Sequence, residues 1–481
     1  MSKVLKNSII YSFFSFFRRG IGFFLLPIYT SYLTTTDYGT VSIVTSITRF
    51  LTILYSFSLS KAVLRFYFED KNNEEILKKS WGTYISFISL IAFSCTLIMV
   101  FFRNKLFAEI AKGIPFFPLV FLGLLTALFA PIYDMYQTIL QAKQDGLSYS
   151  KNSLSFFLIQ LSIILVLVVG FKMKAFGVLS ATVITTFCFF ILAVIKLKPK
   201  IKIGFDKPLF RRSFRYCFPL IPHAFSGWIM SLMDRLFLNS MKSTSLVGIY
   251  NVGFQFGNVI NTITAAVDRA YTPWFFEQIT YGKDGEKRIV RFALFITVVY
   301  AFLALIISLF TIDILNIMVT VNFREGWQVV PFLSYGYVFN GIYFLVCGVL
   351  FLKRTQIVPI ITFSTAMLNI LLNTILIPKW GMNGAAFASM ISHLAGSVLT
   401  LVVAQRLQYI PFKWIKMYGV AVCGFAISIL ATRIGIKSLI VIFSLKISIV
   451  LFFLLVILFV YKKETKLIYN KVHERIFRKR K

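Results

Sequence analysis

The chain has 481 residues, of which 58% are hydrophobic and only 14% are charged. Soluble domains carry about 25% charged residues, so this composition is typical of a chain whose main solvent is lipid, and it excludes secreted, fibrous and disordered classes. The net charge of +33 is strongly basic. A mean hydropathy of +0.79 nevertheless leaves too little soluble surface for nucleic acid to be the partner.

Windows of about 20 apolar residues, the length that crosses a hydrocarbon layer, predict an all-α polytopic membrane protein with about 14 transmembrane helices. The predicted spans are 8–33, 41–63, 80–102, 114–140, 153–171, 175–195, 214–238, 245–272, 289–311, 328–352, 355–377, 382–404, 412–432 and 438–461. The first window is too long to be the core of a cleavable signal peptide, and two arginines interrupt it. It is therefore expected to stay in the mature protein.

Basic residues are distributed unevenly between the two sides of the membrane. If the N-terminus is cytoplasmic, the predicted cytoplasmic segments hold more than three times as many Lys and Arg residues as the outside loops. This asymmetry predicts that both termini are cytoplasmic. The densest segments are a linker at 196–213 and a tail at 462–481, which we interpret as topological signals that contact anionic membrane lipids.

Two stretches of the sequence share a layout. Residues 38–69 match residues 247–277, with a glycine near each start and an aromatic-rich end at Glu69 and Glu277. The offset is near 208 residues, so the second predicted span corresponds to the eighth. Because six spans separate the partners, both copies cross the bilayer in the same sense.

The repeat predicts the domain organisation. Two pseudo-symmetric six-helix lobes are expected at 1–195 and 214–404, joined by the 196–213 linker, with two additional helices at 405–461 and the tail at 462–481. Two such lobes facing one another across a cavity are a transporter design, with the substrate path between them.

Several arginines lie inside predicted spans, where a charged side chain is energetically unfavourable. A basic side chain at the bilayer centre costs about 2.5–3.5 kcal/mol, so it is expected to face protein or water. Arg18 and Arg19 lie roughly 15 Å from the inner end of the first span, at 1.5 Å per residue. Arg49 enters from the opposite side to a similar depth, and Arg269 lies on the eighth span. These four arginines are the candidate sites for an anionic substrate group.

Polar residues recur at helical spacing along the eighth span, and they predict one hydrated face. The candidate cavity-lining residues on the seventh and eighth spans are Asp234, Arg235, Asn251, Gln255, Asn258 and Asp268. Such stripes also join helices to one another, which is the alternative interpretation. Gln137, Asn369 and Asn373 are interpreted in that second way, as interhelical hydrogen-bond formers.

The predicted cavity is net positive, which favours an anionic ligand. Arginine offers paired hydrogen bonds to phosphate oxygens that lysine does not. Aromatic side chains at Trp228, Tyr335, Tyr337 and Tyr343 would stack on sugar rings or, alternatively, face lipid. The residue pattern predicts no catalytic group, no metal site and no cofactor.

The segments KNSIIYSFFSFFRRGIGFFLLPIYTSYLTTTDYG, MDRLFLNS and VGIYNVGFQFGNVI resemble the bacterial polysaccharide-export flippases. These belong to the multidrug/oligosaccharidyl-lipid/polysaccharide (MOP) exporter superfamily, which also contains lipid II flippases and multidrug extruders. The resemblance implies a flippase of the bacterial cytoplasmic (inner) membrane. Its cargo would be an undecaprenyl-pyrophosphate-linked oligosaccharide for surface polysaccharide synthesis. It also implies that Arg18, Arg49 and Arg269 line the cavity, as similar arginines do in lipid II flippases.

The resemblance leaves some partners and functions open. A coupling ion, Na⁺ or H⁺, and a complex with polysaccharide-assembly proteins are both compatible with it, and no residues are assigned to either. One alternative function is an integral-membrane polysaccharide polymerase or acyltransferase. Another is a cation-coupled drug antiporter, in which transport would depend on Asp134, Asp234 or Asp268 more than on the arginines.

Overall fold

The computed structural model describes residue 23 and residues 25–432 and 439–460. Every regular element in these ranges is a helix. The α-helices of the first half are α1 (Leu26–Tyr32), α2 (Thr35–Ser56), α3 (Leu59–Glu69), α4 (Glu74–Phe101), α5 (Arg103–Ile110), α6 (Phe121–Ala142), α7 (Gly146–Ile164), α8 (Lys174–Leu197), α9 (Lys207–Cys217), α10 (Ile221–Trp228) and α11 (Asp234–Met241). The second half contains α12 (Thr244–Ile279), α13 (Gly282–Met318), α14 (Val330–Lys353), α15 (Ile357–Leu407), α16 (Trp414–Thr432) and α17 (Leu439–Val460).

The helices confirm an all-α membrane protein. Within the described ranges, eight helical segments are long and apolar enough to cross a bilayer, or nine if the bent pair α2 and α3 forms one span. The predicted spans from 41–63 onward all fall on helical segments, and short 3₁₀ and π turns join α9, α10 and α11 into one helical run over 207–241. The total of 14 spans stays a prediction.

Within the described ranges, two breaks in helical segments stand out. Helices α2 and α3 are bent by 42° at Phe57 and Ser58, both of which adopt left-handed backbone angles. Helix α15 contains 51 residues, which would extend about 77 Å if straight, more than twice the thickness of the hydrocarbon core. It is broken at Gly381, where φ is +54°, and the two spans predicted at 355–377 and 382–404 lie on either side of that break.

The chain divides into two compact units. The first unit contains the chain through Val252 together with Met318–Phe323 and Thr362–Ala385. The second unit contains Gly253–Ile317, Arg324–Ile361 and the chain from Ala386 onward. Helices α12 and α15 therefore each contribute to both units. The predicted division into lobes at the 196–213 linker stays a prediction.

Aromatic side chains fill the core of the first unit. Trp81, Tyr84 and Tyr133 are buried among apolar residues of α3, α4, α6 and α8. Tyr133 stacks on Phe156, with ring centroids 5.5 Å apart. Offset rings of this kind add stabilisation beyond the area that they bury. The predicted role of Gln137 is confirmed, since its amide donates to Ser153 Oγ of α7 at 3.2 Å.

The second unit combines an apolar core with a buried ion pair. Phe275, Tyr300 and Tyr335 are among its fully buried side chains. The ammonium group of Lys446 in α17 lies 2.5 Å from Asp313 Oδ2 in α13, and 93% of the Lys446 side chain is shielded. Because an unpaired lysine in lipid is costly, the carboxylate stabilises α17 against α13.

Helices α2 and α12 cross at two glycines, Gly39 and Gly248, which are equivalent in the sequence repeat. A Cβ atom on Gly39 would clash with the carbonyl oxygen of Thr244, and a Cβ atom on Gly248 would clash with that of Thr35. The hydroxyls of Thr35 and Ser245 are hydrogen-bonded at 2.7 Å. Small residues permit this approach of two backbones. The contact is reciprocal, so the repeat is visible in the structure at this point.

Candidate substrate site and buried polar cluster

Arg49 lies near the middle of α2, and its side chain is exposed on the protein surface. Buried hydroxyls accompany it on the same helix: Ser46 donates to the Ser42 carbonyl oxygen, and Thr48 donates to that of Val44, each at 2.8 Å. Thr48 also approaches the carbonyl oxygen of Gly123 in α6 at 3.1 Å. These contacts fix the helix from which the guanidinium group projects.

Asp234 is buried at the start of α11, with 2% of its surface exposed. Its Oδ2 accepts a hydrogen bond from the Tyr250 hydroxyl at 2.7 Å, and its Oδ1 accepts one from Asn373 Nδ2 at 2.8 Å. Asn373 Nδ2 also donates to Asn369 Oδ1 at 3.1 Å. Segments of α11, α12 and α15 therefore meet at one carboxylate. The interhelical role predicted for Asn373 is confirmed.

The neighbouring Arg235 is 1% exposed. Its guanidinium donates to the Ser231 carbonyl oxygen at 2.6 Å and to Asn251 Oδ1 at 3.2 Å. The guanidinium carbon also lies 5.6 Å from the centre of the Tyr250 ring. A buried charge is tolerated when it is hydrogen-bonded in this way. We call Asp234, Arg235, Tyr250, Asn251, Asn369 and Asn373 the buried polar cluster.

The part of α12 that belongs to the second unit carries the remaining candidate residues. Gln255 and Asn258 are partly buried, and Asn258 Oδ1 accepts a hydrogen bond from Asn261 Nδ2 at 3.0 Å. Asp268 Oδ1 accepts a hydrogen bond from the Thr272 hydroxyl at 3.1 Å. Arg269 is exposed. Amide, carboxylate and guanidinium groups thus follow one another down this helix.

The structure brings together only some of the residues that the sequence singled out. Asp234, Arg235 and Asn251 meet in the buried polar cluster, whereas Arg49 and Arg269 are exposed on separate helices in different units. Sequence analysis missed Tyr250, because a tyrosine in an apolar helix gives no sign that its hydroxyl has a carboxylate partner. Arg18 and Arg19 lie outside the described residues.

The basic linker packs against α3 and α4 within the first unit. Arg212 forms ion pairs with Glu69 at 2.6 Å and with Asp70 at 3.1 Å. The Lys202 amide donates to the Lys78 carbonyl oxygen at 3.0 Å. Burial, followed by the nearby Lys200, lowers the pKa of Lys143. Several cations are therefore held close together in the region where the linker contacts α3 and α4.

The sequence matches the family described as polysaccharide biosynthesis protein over residues 4–278, more than half of the chain. The chain therefore belongs to this family. It is a multi-pass membrane protein with the transporter fold of the MOP exporter superfamily. The resemblance seen in the N-terminal and central segments is confirmed.

One relative is named after a locus, and another is named as a glycan biosynthesis flippase. "Lsg locus putative protein 1" of Haemophilus influenzae is 22% identical over 321 residues, which cover 65% of this chain and 76% of the relative. "Probable low-salt glycan biosynthesis flippase Agl15" of Haloferax volcanii is 23% identical over 259 residues, which cover 51% of this chain and 54% of the relative. The match with the second thus extends over about half of its length.

Solved structures show the same fold. The lipid II flippase MurJ in its inward closed conformation superposes with a TM-score of 0.66 at 16% identity, covering 95% of this chain and 99% of MurJ. The Vibrio cholerae MATE transporter VcmN in its bent form gives a TM-score of 0.56 at 11% identity, covering 88% of this chain and 97% of VcmN. At these identities the comparison shows the fold alone, which this chain shares with a flippase and a transporter.

Proposed function

We propose that this protein is a flippase that moves an undecaprenyl-pyrophosphate-linked oligosaccharide from the inner to the outer leaflet of the bacterial cytoplasmic membrane. The polysaccharide biosynthesis family supports the pathway, and the flippase-like fold supports the transport step. One observation carries the substrate chemistry. Arg49 exposes its side chain from the middle of α2, where an arginine is costly unless it has a polar or anionic neighbour.

The pyrophosphate would bind to Arg49 and Arg269, with Arg18 and Arg19 contributing from the first predicted span. A guanidinium group donates two parallel hydrogen bonds to phosphate oxygens, and it keeps its charge at every physiological pH. Arg49 and Arg269 project from helices that also carry hydrogen-bonded polar side chains, such as Thr48 on α2 and Asn258 on α12. The roles of Arg18 and Arg19 rest on the sequence.

The sugars would contact the polar residues of α12. Gln255, Asn258 and Asp268 are only partly buried, and their amide and carboxylate groups can donate to or accept from sugar hydroxyls. That Asp234, Arg235 and Asn251 also line the cavity stays a prediction, because this structure encloses all three in the buried polar cluster.

Transport would proceed by alternating access of the two predicted lobes, while the polyprenyl tail remains in lipid. A membrane potential that is negative inside favours outward movement of an anion by about 2.3 kcal/mol per charge per 100 mV. A dianionic pyrophosphate would gain roughly twice that if the empty carrier does not return the same charge. Coupling to Na⁺ or H⁺ and a complex with polysaccharide-assembly proteins are further parts of the proposal, without assigned residues.

Anionic lipids of the inner leaflet would contact the linker if both termini are cytoplasmic. Burial, followed by the nearby Lys200, lowers the pKa of Lys143, and Lys202 is fixed by its backbone contact with Lys78. A cluster of cations next to a membrane surface attracts anionic lipids by about 1 kcal/mol per basic residue.

The test is to replace Arg49 with alanine in the full-length protein. We expect surface polysaccharide to fall by roughly 10-fold or more, since a charge-assisted hydrogen bond contributes about 1.5–3 kcal/mol. Lipid-linked oligosaccharide should accumulate in the inner leaflet, and Arg49→Lys should retain part of the activity. The matched control is Arg354→Ala, at an exposed arginine between α14 and α15. Wild-type export by Arg49→Ala, at equal protein levels in the membrane, would contradict the proposal.

A further inference from the structure

The first unit contains a cavity of about 460 Å³ that the proposed function leaves without a role. Its wall is formed by α2, the end of α4, α5 and the helical run 207–241. The residues that line it are Ile47, Phe50, Leu51, Met99, Leu106, Phe107, Glu109, Ile110, Trp228, Met233, Leu236, Phe237 and Ser240. Its volume falls within the usual range for small-molecule sites, about 300–1,000 Å³.

The wall offers almost no hydrogen bonds. Among the described residues that line the cavity, Glu109 and Ser240 have the polar side chains, and the Trp228 indole N–H already donates to the Ser46 carbonyl oxygen at 2.9 Å. Water gains little in such a space, because it needs two to four polar partners. The ligand that fits the wall is therefore a hydrocarbon.

Two residues that line the cavity reach the surface of the protein. Leu106 and Ile110 form its rim, and they are 41% and 43% exposed. Along α4, the nearby Phe93 and Leu97 are also more than half exposed. Since α4 is long and apolar enough to span the bilayer, these side chains face lipid tails. Beside Leu106 and Ile110, a chain from the surrounding bilayer meets apolar side chains at the entrance to the cavity.

Helix α5 adds a cationic group to the apolar rim. It follows the membrane-spanning α4 directly, so it lies at a membrane surface. Arg103 precedes Leu106 and Phe107 by three and four residues and therefore shares their face of the helix. Its guanidinium carbon lies 5.6 Å from the Phe117 ring centre, and Lys105 is exposed one turn before Glu109. Short helices that carry basic and large apolar residues are typical of the lipid headgroup boundary.

We propose that this cavity binds one acyl chain of a membrane phospholipid, whose phosphate group is contacted by Arg103. The chain replaces the void beside Leu51 and Trp228 with packing contacts, and the phosphate provides the anion that the Arg103 guanidinium group complements. The bound lipid joins α2 to α5 and to the 207–241 run within the first unit. The site is separate from the arginines proposed to bind substrate.

The experiment uses the wild-type full-length protein in vesicles of phosphatidylglycerol that contain a small fraction of phosphatidylglycerol with a photoreactive diazirine in one acyl chain. Cross-linked residues are located by peptide mass spectrometry. We expect labelling at cavity residues such as Met99 and Met233 in addition to the lipid-facing Phe93. Labelling confined to the lipid-facing residues would overturn the proposal.

Two variants that fill the cavity serve as tests of the same site. Ser240→Phe and, at the rim, Ile110→Trp should lower labelling of Met99 and Met233 while labelling of Phe93 stays unchanged, which also shows that the variant is inserted and folded. Undiminished labelling of the two methionines in both variants would contradict binding inside the cavity. The variant Arg103→Gln should weaken cavity labelling by about 10-fold, since one lost charge-assisted contact contributes on the order of 1.5 kcal/mol.

A competition experiment distinguishes the source of the chain. Unlabelled phosphatidylglycerol should displace the photoreactive lipid from the cavity in proportion to its amount, and undecaprenyl phosphate at the same amount should not displace it further. Stronger displacement by undecaprenyl phosphate would overturn the assignment to phospholipid. It would identify the site as one for isoprenoid chains.

Discussion

The helical run 207–241 carries two faces of opposite character within a few residues of each other. On one face, Asp234 and Arg235 are almost completely buried, and other helices supply their hydrogen bonds. On the other face, Trp228 and Leu236 line a cavity with an apolar wall. In a water-soluble protein, a helix with its polar face in the interior and its apolar face accessible would be unstable. In a bilayer, polar groups are enclosed by protein and apolar groups can remain accessible to lipid. Hydropathy alone therefore does not show which face of such a helix is its core.

Removing the carboxylate from the buried face should have the largest effect. Asp234→Ala takes away the acceptor for both the Tyr250 hydroxyl and the Asn373 amide, and each lost buried hydrogen bond costs about 1–3 kcal/mol. We expect the free energy of unfolding in lipid nanodiscs to fall by about 3 kcal/mol. Asp234→Asn, which keeps an oxygen acceptor, should lose less. Equal stability of Asp234→Ala and wild type would show that the cluster does not stabilise the fold.

Truncating a side chain on the cavity face should lower the free energy of unfolding by a smaller amount. Leu236 is only partly buried and already borders a void, so Leu236→Ala should lower the free energy of unfolding by about 2 kcal/mol, at the lower end of the range for such truncations. The same measurement in nanodiscs applies. A cost above that of Asp234→Ala would reverse the contrast between the two faces.

One hydrogen bond joins the cavity face of the helical run 207–241 to α2, and a single substitution removes it. Trp228→Phe removes the N–H that donates to the Ser46 carbonyl oxygen at 2.9 Å and enlarges the cavity slightly. The expected loss of unfolding free energy is about 1.5 kcal/mol. Thermal unfolding followed by near-UV absorbance or by proteolysis measures it, and Trp414→Phe, at an exposed tryptophan, is the matched control. If Trp414→Phe lowered the free energy of unfolding by the same amount, the lost hydrogen bond would not explain the effect of Trp228→Phe.

A substitution outside both faces of the helical run should change the free energy of unfolding least, and its effect should depend on pH. Asp145 caps α7, with Oδ1 accepting from the Ser148 amide at 3.0 Å, so Asp145→Ala should cost about 0.5–1 kcal/mol. Hydrogen bonds from the Ser148 side chain and backbone lower the pKa of Asp145 below its ordinary value of 3.8. The contribution of the cap is therefore complete at neutral pH and is lost as the pH falls below 3.8 toward the lowered pKa. The difference between wild type and variant should be smaller at acidic than at neutral pH, and a constant difference would contradict this origin.

The sequence predicts the helices well because a span is a local property of about 20 residues. It also places the gap between two spans beside Gly381, where the backbone of α15 breaks. The bend at Phe57 and Ser58 is not predictable from residue type, since non-glycine residues rarely adopt left-handed angles. That bend depends on the packing around it.

The candidate site is predictable in part. Hydropathy and charge identify Arg49 and Asp234 as unusual residues inside spans, but they do not show that one is exposed and the other enclosed. That distinction depends on Tyr250 and Asn373, which are distant in sequence from Arg49 and lie on other helices than Asp234. The cavity beside Trp228 leaves no sequence signal, because its wall consists of ordinary apolar residues from four separate segments.

The crossing of α2 and α12 at Gly39 and Gly248 has the property of an isologous dimer interface, although both helices belong to one polypeptide. In such an interface, every contact between a residue of one subunit and a residue of its partner occurs twice. One substitution in a true dimer therefore changes both contacts. Here the two sites can change separately, yet each faces the carbonyl oxygen of the other copy. A methyl group gained on one helix is not accommodated by any side-chain change on the other, since the obstacle is backbone. Each glycine is therefore required on its own account, because a substitution at either position meets the backbone of the other copy.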